Sequence, residues 1–242
     1  IAVKLHMGEA GNKHYIKAPI IKRIISVLYD SGLKPFLFDS VVLYKGERDT
    51  VEKYLKTAER HGFSEDKIGC PIIISKTGVD IKTKDLIVHV CKELIDADGL
   101  LCISHVKGHC CFGFGGAIKN LGMGGVTPQS KKEIHSGAAA EIDDLLAQGA
   151  GAVLQNFNKS FFINFIIDIS KNCDCDCDGG PIVAEDIGVL FGKDMISIDK
   201  ASLDLVNEQK PDIFLKLHKH DPYLQIKYAS DLGFGGEEYV IG

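Results

Sequence analysis

No uninterrupted apolar run in this 242-residue chain approaches the ~20 residues that a membrane span needs. The longest candidate, 161-FFINFIIDI-169, is strand-sized and interrupted by Asn164 and Asp168. An excess of positive charge is also missing. The formal net charge is −5, which argues against nucleic acid as a general partner, because such binding leaves a basic footprint. There is no internal repeat and no low-complexity tail. The eight cysteines are too sparse for a secreted disulfide scaffold, which is short and cysteine-dense. A cytoplasmic protein with a few functional thiols and no membrane association is the simplest expectation. Cys70, Cys91 and Cys102 lie in apolar contexts and read as core thiols.

With 45% hydrophobic residues, the chain can bury one large core or two small ones. Apolar β-rich runs alternate with helical periodicity, the pattern of an α/β fold. A mostly parallel or mixed central sheet flanked by helices is predicted over 1–242, with any division into two lobes falling near 136–160. Strands are expected at 1–6, 35–39, 71–75, 99–104, 161–168 and 186–191. Helices are expected at 19–31, 49–61, 85–96, 131–148, 194–208 and 221–232, and the Gly-Ala-Gly of 149–151 suggests a break. Polar loops follow several strands, and ligands of open α/β sheets gather at the carboxyl ends of strands.

The richest of these loops is 104-SHVKGHCCFGFGGAIKNLGMGG-125. It carries His105, Lys107, His109, Cys110, Cys111, Lys119 and Asn120, with six glycines from Gly108 to Gly124 that let backbone approach a ligand. A dinucleotide fingerprint begun at Gly113 would need glycine where Ile118 stands. A Walker loop would need a hydroxyl residue where Asn120 follows Lys119. A loop packed on the sheet with solvated His and Lys is the bland alternative. The sharper reading makes His105, Lys107, His109 and Lys119 a catalytic group and Asn120 a substrate contact. His6 and Glu9 after the first strand, and Asp39 and Arg48 around the second, are further candidates for orienting a substrate. Local ion pairing would equally account for Asp39 and Arg48. His135, on a probable helix after Lys131, stays undecided.

The segment 171-KNCDCDCDGGP-181 concentrates thiols and carboxylates on alternate residues. As a strand it would turn Cys173, Cys175 and Cys177 to one side, whereas a turn closed by Gly179-Gly180 would let some of them converge. Thiolates select zinc, copper(I) or iron–sulfur centres, so these three cysteines are the candidate metal ligands, helped by His105, His109 or Cys110. Asp174, Asp176, Asp178, Gly179 and Glu185 also match an EF-hand calcium loop, although strand-like flanks and Pro181 oppose it. An acidic surface turn is the remaining reading.

Taken together, several motifs resemble an uncharacterised iron–sulfur-centre protein family, a domain of unknown function numbered 362. They are KLHMGE (4–9), KPFLFD (34–39), LYKGER (43–48), SHVKGH (104–109), GFGGAIKNLGMG (113–124), Lys131-x-x-x-His135, INFIIDIS (163–170), CDC (173–175), DIGVL (186–190) and DMISIDKASLDLVN (194–207). Many members insert a ferredoxin-like module after the segment ending here at His135. With no cysteine between Cys111 and Cys173, the resemblance implies a member without that insert. A shorter resemblance, in His109, Gly113-Phe114, Gly115-Gly116 and Lys119, is to a loop of the nickel-pincer lactate racemases. It implies a pincer cofactor anchored on Lys119 beside a proton-transferring histidine.

The expectation is therefore a metal-associated protein carrying iron, an iron–sulfur centre or zinc. It would act on a small anionic ligand by redox or proton-transfer chemistry, and a redox protein is a candidate partner. The alternative is a non-catalytic metal or electron carrier. Sequence leaves the oligomeric state open.

Overall fold

The computed structural model describes residues 1–138 and 141–242. In chain order the strands are β1 (Ala2–Leu5), β2 (Phe36–Ser40), β3 (Ile72–Ser75), β4 (Gly78–Lys82), β5 (Ile87–Cys91), β6 (Leu100–His105), β7 (Lys107–His109), β8 (Gly113–Gly115), β9 (Ser160–Ile166) and β10 (Gly188–Gly192). The helices are α1 (Ala18–Asp30), α2 (Val51–Arg60), α3 (Glu65–Ile68), α4 (Lys92–Ile95), α5 (Ala117–Gly124), α6 (Pro128–His135), α7 (Ile142–Leu154), α8 (Met195–Gln209), α9 (Ile213–His218) and α10 (Leu224–Asp231).

Six strands form the central sheet in the order β10-β9-β6-β1-β2-β3. All neighbours pair in parallel except β10, which runs antiparallel to β9. The fold is thus mixed α/β, with a mostly parallel sheet flanked by helices. Residue alternation divides the core in two. Ala2, Phe38, Leu100, Cys102 and Phe162 face the layer of α5, α7, α8 and α10. Val3, Leu5, Leu37, Leu101 and Ile103 face the layer of α1 and α2. Sheet faces covered on both sides explain why these strands read as near-continuous apolar runs. The helix ends follow local chemistry: Pro19 lies in the first turn of α1, and the Thr50 and Asp194 side chains accept backbone N–H groups at the starts of α2 and α8.

Three sequence expectations need correction. Residues 85–96 are not one helix. Ile87–Cys91 pairs as β5 with β4 in a hairpin, and only Lys92–Ile95 is helical. Val88 and Val90 are fully buried while Ile87 is exposed, a strand alternation that the longer helical window obscured. The predicted helix 131–148 is two helices, α6 and α7, and its positions 139–140 lie outside the described residues. The Gly-Ala-Gly patch does not break α7. A Cβ at Gly149 would press on Ile134 and Gly122, and one at Gly151 would lie 2.0 Å from the Phe234 ring. These glycines let neighbours approach a continuous helix.

Candidate functional site

The carboxyl ends of β1, β2 and β6 meet α5 and the 171–181 segment around a cavity of about 210 Å³. The sequence hid α5, because its residues lie within the glycine-rich stretch. Helix geometry aims Lys119 and Asn120 inward, and both are buried. The cavity wall contains His6, Asp39, Arg48, Lys107, His109, Lys119, Asn120, Cys173 and Cys175 from the sequence-derived candidates, together with Lys4, Tyr44, Lys131 and His135.

The 171–181 segment is a turn. Asp176 N donates to Cys173 O (2.9 Å) and Asn172 N to Gly179 O (2.8 Å), while Gly179 and Gly180 adopt φ of +70° and +69°. This curvature separates the alternating side chains by destination. Cys173 and Cys175 turn toward His109, and the donor atoms of the three lie within 4.8 Å of one another. Asp174 turns the other way: its Oδ1 is 2.8 Å from His105 Nδ1 and its Oδ2 is 3.4 Å from Lys107 Nζ. Cys177 is exposed and belongs to neither metal-competent group, so the three cysteines do not act as one set. The calcium-loop reading fails as well, because the Asp174 carboxylate is taken by His105 and Lys107 and strands flank the turn.

His105 is buried behind the cavity. Both its ring nitrogens face oxygens, Asp174 Oδ1 and Ile167 O, each at 2.8 Å, which leaves neither for proton transfer with a ligand. Glu9 lies off the wall too. Its Oε2 accepts from Arg48 Nε (2.9 Å), and Arg48 extends Nη1 to within 2.8 Å of His6 Nε2 and donates from Nη2 to Tyr44 Oη (2.7 Å). Tyr44 Oη in turn lies 2.9 Å from the Cys175 carbonyl oxygen, which links the second-strand loop to the cysteine turn. Asp39 pairs with Lys4 (3.2 Å) and accepts from Tyr54, and Lys4 donates to Asn120 Oδ1 (2.6 Å). Asn120 Nδ2 donates to Ile103 O and Ser104 Oγ, so this side chain is committed to the protein.

The electrostatics separate neutral from charged groups. Burial, reinforced by Arg48, lowers His6 to about 3, and burial with Lys119 lowers His109 to about 4. His109 is therefore neutral near pH 7, and its Nδ1 accepts from the Cys111 (3.2 Å) and Phe112 (3.3 Å) backbone N–H groups. The thiol hydrogen bond from Cys175, then Lys119 and His109, outweigh burial and hold Cys173 well below the usual thiol range. Cys175 is raised correspondingly by its bond to Cys173 and by burial, so the pair holds one thiolate and one thiol. Burial alone would lower Lys119, but the Cys173 and Cys175 sulfurs raise it, and its Nζ donates to Cys173 Sγ at 3.2 Å. Lys131 is lowered by burial to about 8 while donating to Val41 O (2.6 Å).

A second group, His109 with Cys110 and Cys111, also brings its donor atoms within 4.8 Å of one another. His109 thus stands in two Cys/His groups that could hold a metal ion. Four cavity residues escaped or only grazed the sequence reading. Lys4 was hidden inside an apolar strand and Tyr44 in a loop. Lys131 and His135 had only their K-x-x-x-H spacing as a signal.

A family model covers most of this architecture, over residues 1–204, under the description "Domain of unknown function (DUF362)". The chain belongs to that family. Its Cys/His groups fit a metal-associated member. No curated protein matches the chain. Among solved structures it is similar to the lactate racemase apoprotein from Thermoanaerobacterium thermosaccharolyticum, with 15% identity, a TM-score of 0.48, and 69% of this chain and 42% of that one covered. It is also similar to a Thermotoga maritima protein of known crystal structure, with 12% identity, a TM-score of 0.47, and 95% of this chain and 54% of that one covered. The chain spans about half the length of these two matched chains.

Proposed function

We propose that this family member is a metal-dependent enzyme that carries out redox or proton-transfer chemistry on a small anion. The observation that supports it is one shared wall: the His109, Cys173 and Cys175 donor atoms, within 4.8 Å of one another, line the same cavity as Arg48, Lys107, Lys119 and Lys131. Three protein ligands leave a coordination position for substrate, as in catalytic zinc sites. Two thiolates and an imidazole suit zinc or a single iron ion better than calcium or magnesium. An iron–sulfur cluster ordinarily takes four cysteines, more than this wall supplies. A bound ion would provide Lewis-acid or one-electron chemistry. Lys119 balances the thiolate charge, Arg48 and Lys131 attract the anion, and His135 stands at the rim to exchange a proton with solvent.

Lys119 serves here as a counter-charge to Cys173 rather than as the anchor of a nickel-pincer cofactor, since a raised, thiolate-bound ammonium is a poor nucleophile. An adduct on Lys119 in protein produced with the pincer-synthesis enzymes would reverse that assignment. The alternative of a non-catalytic metal carrier draws on the exposed Cys110 and Cys111.

The first test is metal and sulfide content per chain after anaerobic purification, alongside Cys175→Ser. One ion per chain, missing from the variant, is expected. No ion in either protein sinks the proposal. Calorimetry of the loaded protein with short mono- and dicarboxylates and inorganic phosphate then separates the enzyme from the carrier, which would bind none of them.

A further inference from the structure

The second Cys/His group lies outside the use just assigned to the cavity. Cys110 and Cys111 are both exposed, while His109 and Cys173 are buried and Cys175 is half-buried. The sulfurs of Cys110 and Cys111 lie 3.5 Å apart. Two thiolates on one tetrahedral ion, each about 2.3 Å from the metal, are separated by roughly 3.8 Å, so this pair needs little movement to clasp a cation. The β7–β8 hairpin, which carries both cysteines in its connection, is held from outside. Gln225 of α10 donates to Phe112 O (3.1 Å) and Phe114 O (2.9 Å), and His218 Nε2 lies 2.8 Å from Lys171 O beside Gly108. The exposed thiols therefore have a fixed position relative to the cysteine turn.

We infer that Cys110, Cys111 and His109 form a loading site that captures a thiophilic divalent cation at the surface and passes it to His109, Cys173 and Cys175 within the cavity. The inference rests on the metal-site reading given above. Its distinguishing observation is that His109 belongs to both groups. Because the two groups share this residue, an ion on the outer pair can exchange one sulfur at a time for the inner pair without being released as a free hydrated ion. The exchange balances without an oxidant: two metal–sulfur bonds break and two form. The incoming Cys173–Cys175 pair holds one thiol, and its single proton passes to one sulfur of the outgoing pair. No change in metal charge is involved.

The full-length protein tests this with cobalt(II) alone, whose thiolate absorption reports ligation, mixed in stopped flow with wild type, Cys110→Ser/Cys111→Ser and Cys175→Ser. The double variant is expected to reach the same one-ion end state but to load, and to release to a chelator, slower by roughly tenfold or more. Cys175→Ser is expected to hold cobalt only at the outer pair, from which chelator strips it within the mixing phase. Loading of the double variant at the wild-type rate overturns the transfer role and leaves the inner site standing. Cobalt retained by Cys175→Ser but lost from the double variant makes the outer pair the resident site and overturns both. Absence of cobalt binding in wild type overturns the metal reading itself.

Discussion

The two ends of the central sheet are built by opposite rules. At the carboxyl end, buried charges fill the space between strands and helices: Lys4 with Asp39, Arg48 with Glu9, and His105 and Lys107 with Asp174. At the amino end, Leu101, Phe161 and Ile163 face α1 across an open groove of about 880 Å³, with Arg23, Lys159 and Lys193 among its lining residues. Hydrophobic packing accounts for Leu101, Phe161 and Ile163 at the second end. It cannot explain the first, because buried ion pairs of this density are costly to desolvate and contribute less to stability than apolar replacements would. That concentration of buried charge is what marks the carboxyl end as the candidate site.

The sharpest way to break this contrast is Asp174→Ala. It leaves His105 and Lys107 buried without their carboxylate and should cost roughly 3–5 kcal/mol in urea unfolding. It should also remove the metal by freeing the cysteine turn. Asp39→Asn is expected to be next. Burial raises Asp39, but Lys4, His6 and Lys131 more than offset it and hold the carboxyl at about 2. A depressed carboxylate stabilises the fold above its unfolded value near 3.9, and that contribution, on the order of 2 kcal/mol, fades as pH falls toward about 2. Unfolding midpoints across that range should therefore fall steeply in wild type and more gently in the variant. A smaller effect concerns Lys131, lowered to about 8. It is cationic below that pH, so anion affinity should weaken as pH rises through about 8, and Lys131→Met should remove that inflection in calorimetric titrations. Least of all, Val27→Ser in the amino-end groove should change stability by no more than about 0.5 kcal/mol and leave metal content unchanged, since Val27 is 62% exposed. A loss of metal in that variant would dissolve the distinction between the ends.

Much of the framework was legible as sequence. All six strands of the central sheet stood out as apolar runs bounded by turns, the inner ones because both sheet faces are covered; edge strand β10 keeps Val189 and Phe191 exposed. The place of His6, Asp39 and Lys107 on the cavity wall was legible from their being polar residues at or just after strand ends. What failed was local. The β4–β5 hairpin lies beyond the central sheet and alternates too briefly to defeat a helical window. The α5 helix is disguised by glycines that its neighbours require for close approach. The site residues behaved likewise: His105 and Glu9 carried the right chemistry but serve their neighbours, and Cys177 shares a spacing with Cys173 and Cys175 that a turn does not respect. Lys4 was illegible because a buried lysine in a strand declares itself only once Asp39 and Asn120 are seen around it.

Asp174 stands between the two cavity cysteines in the chain, and its carboxylate is paired with His105 at the end of β6 and with Lys107 on β7. The conformational entropy of gathering the two sulfurs is therefore lost during folding and not on ligation. An ion bound there would meet a preorganised claw, and its affinity would be a property of the sheet: substitutions that loosen β6 or β7 should weaken the grip on added metal without touching a single ligand.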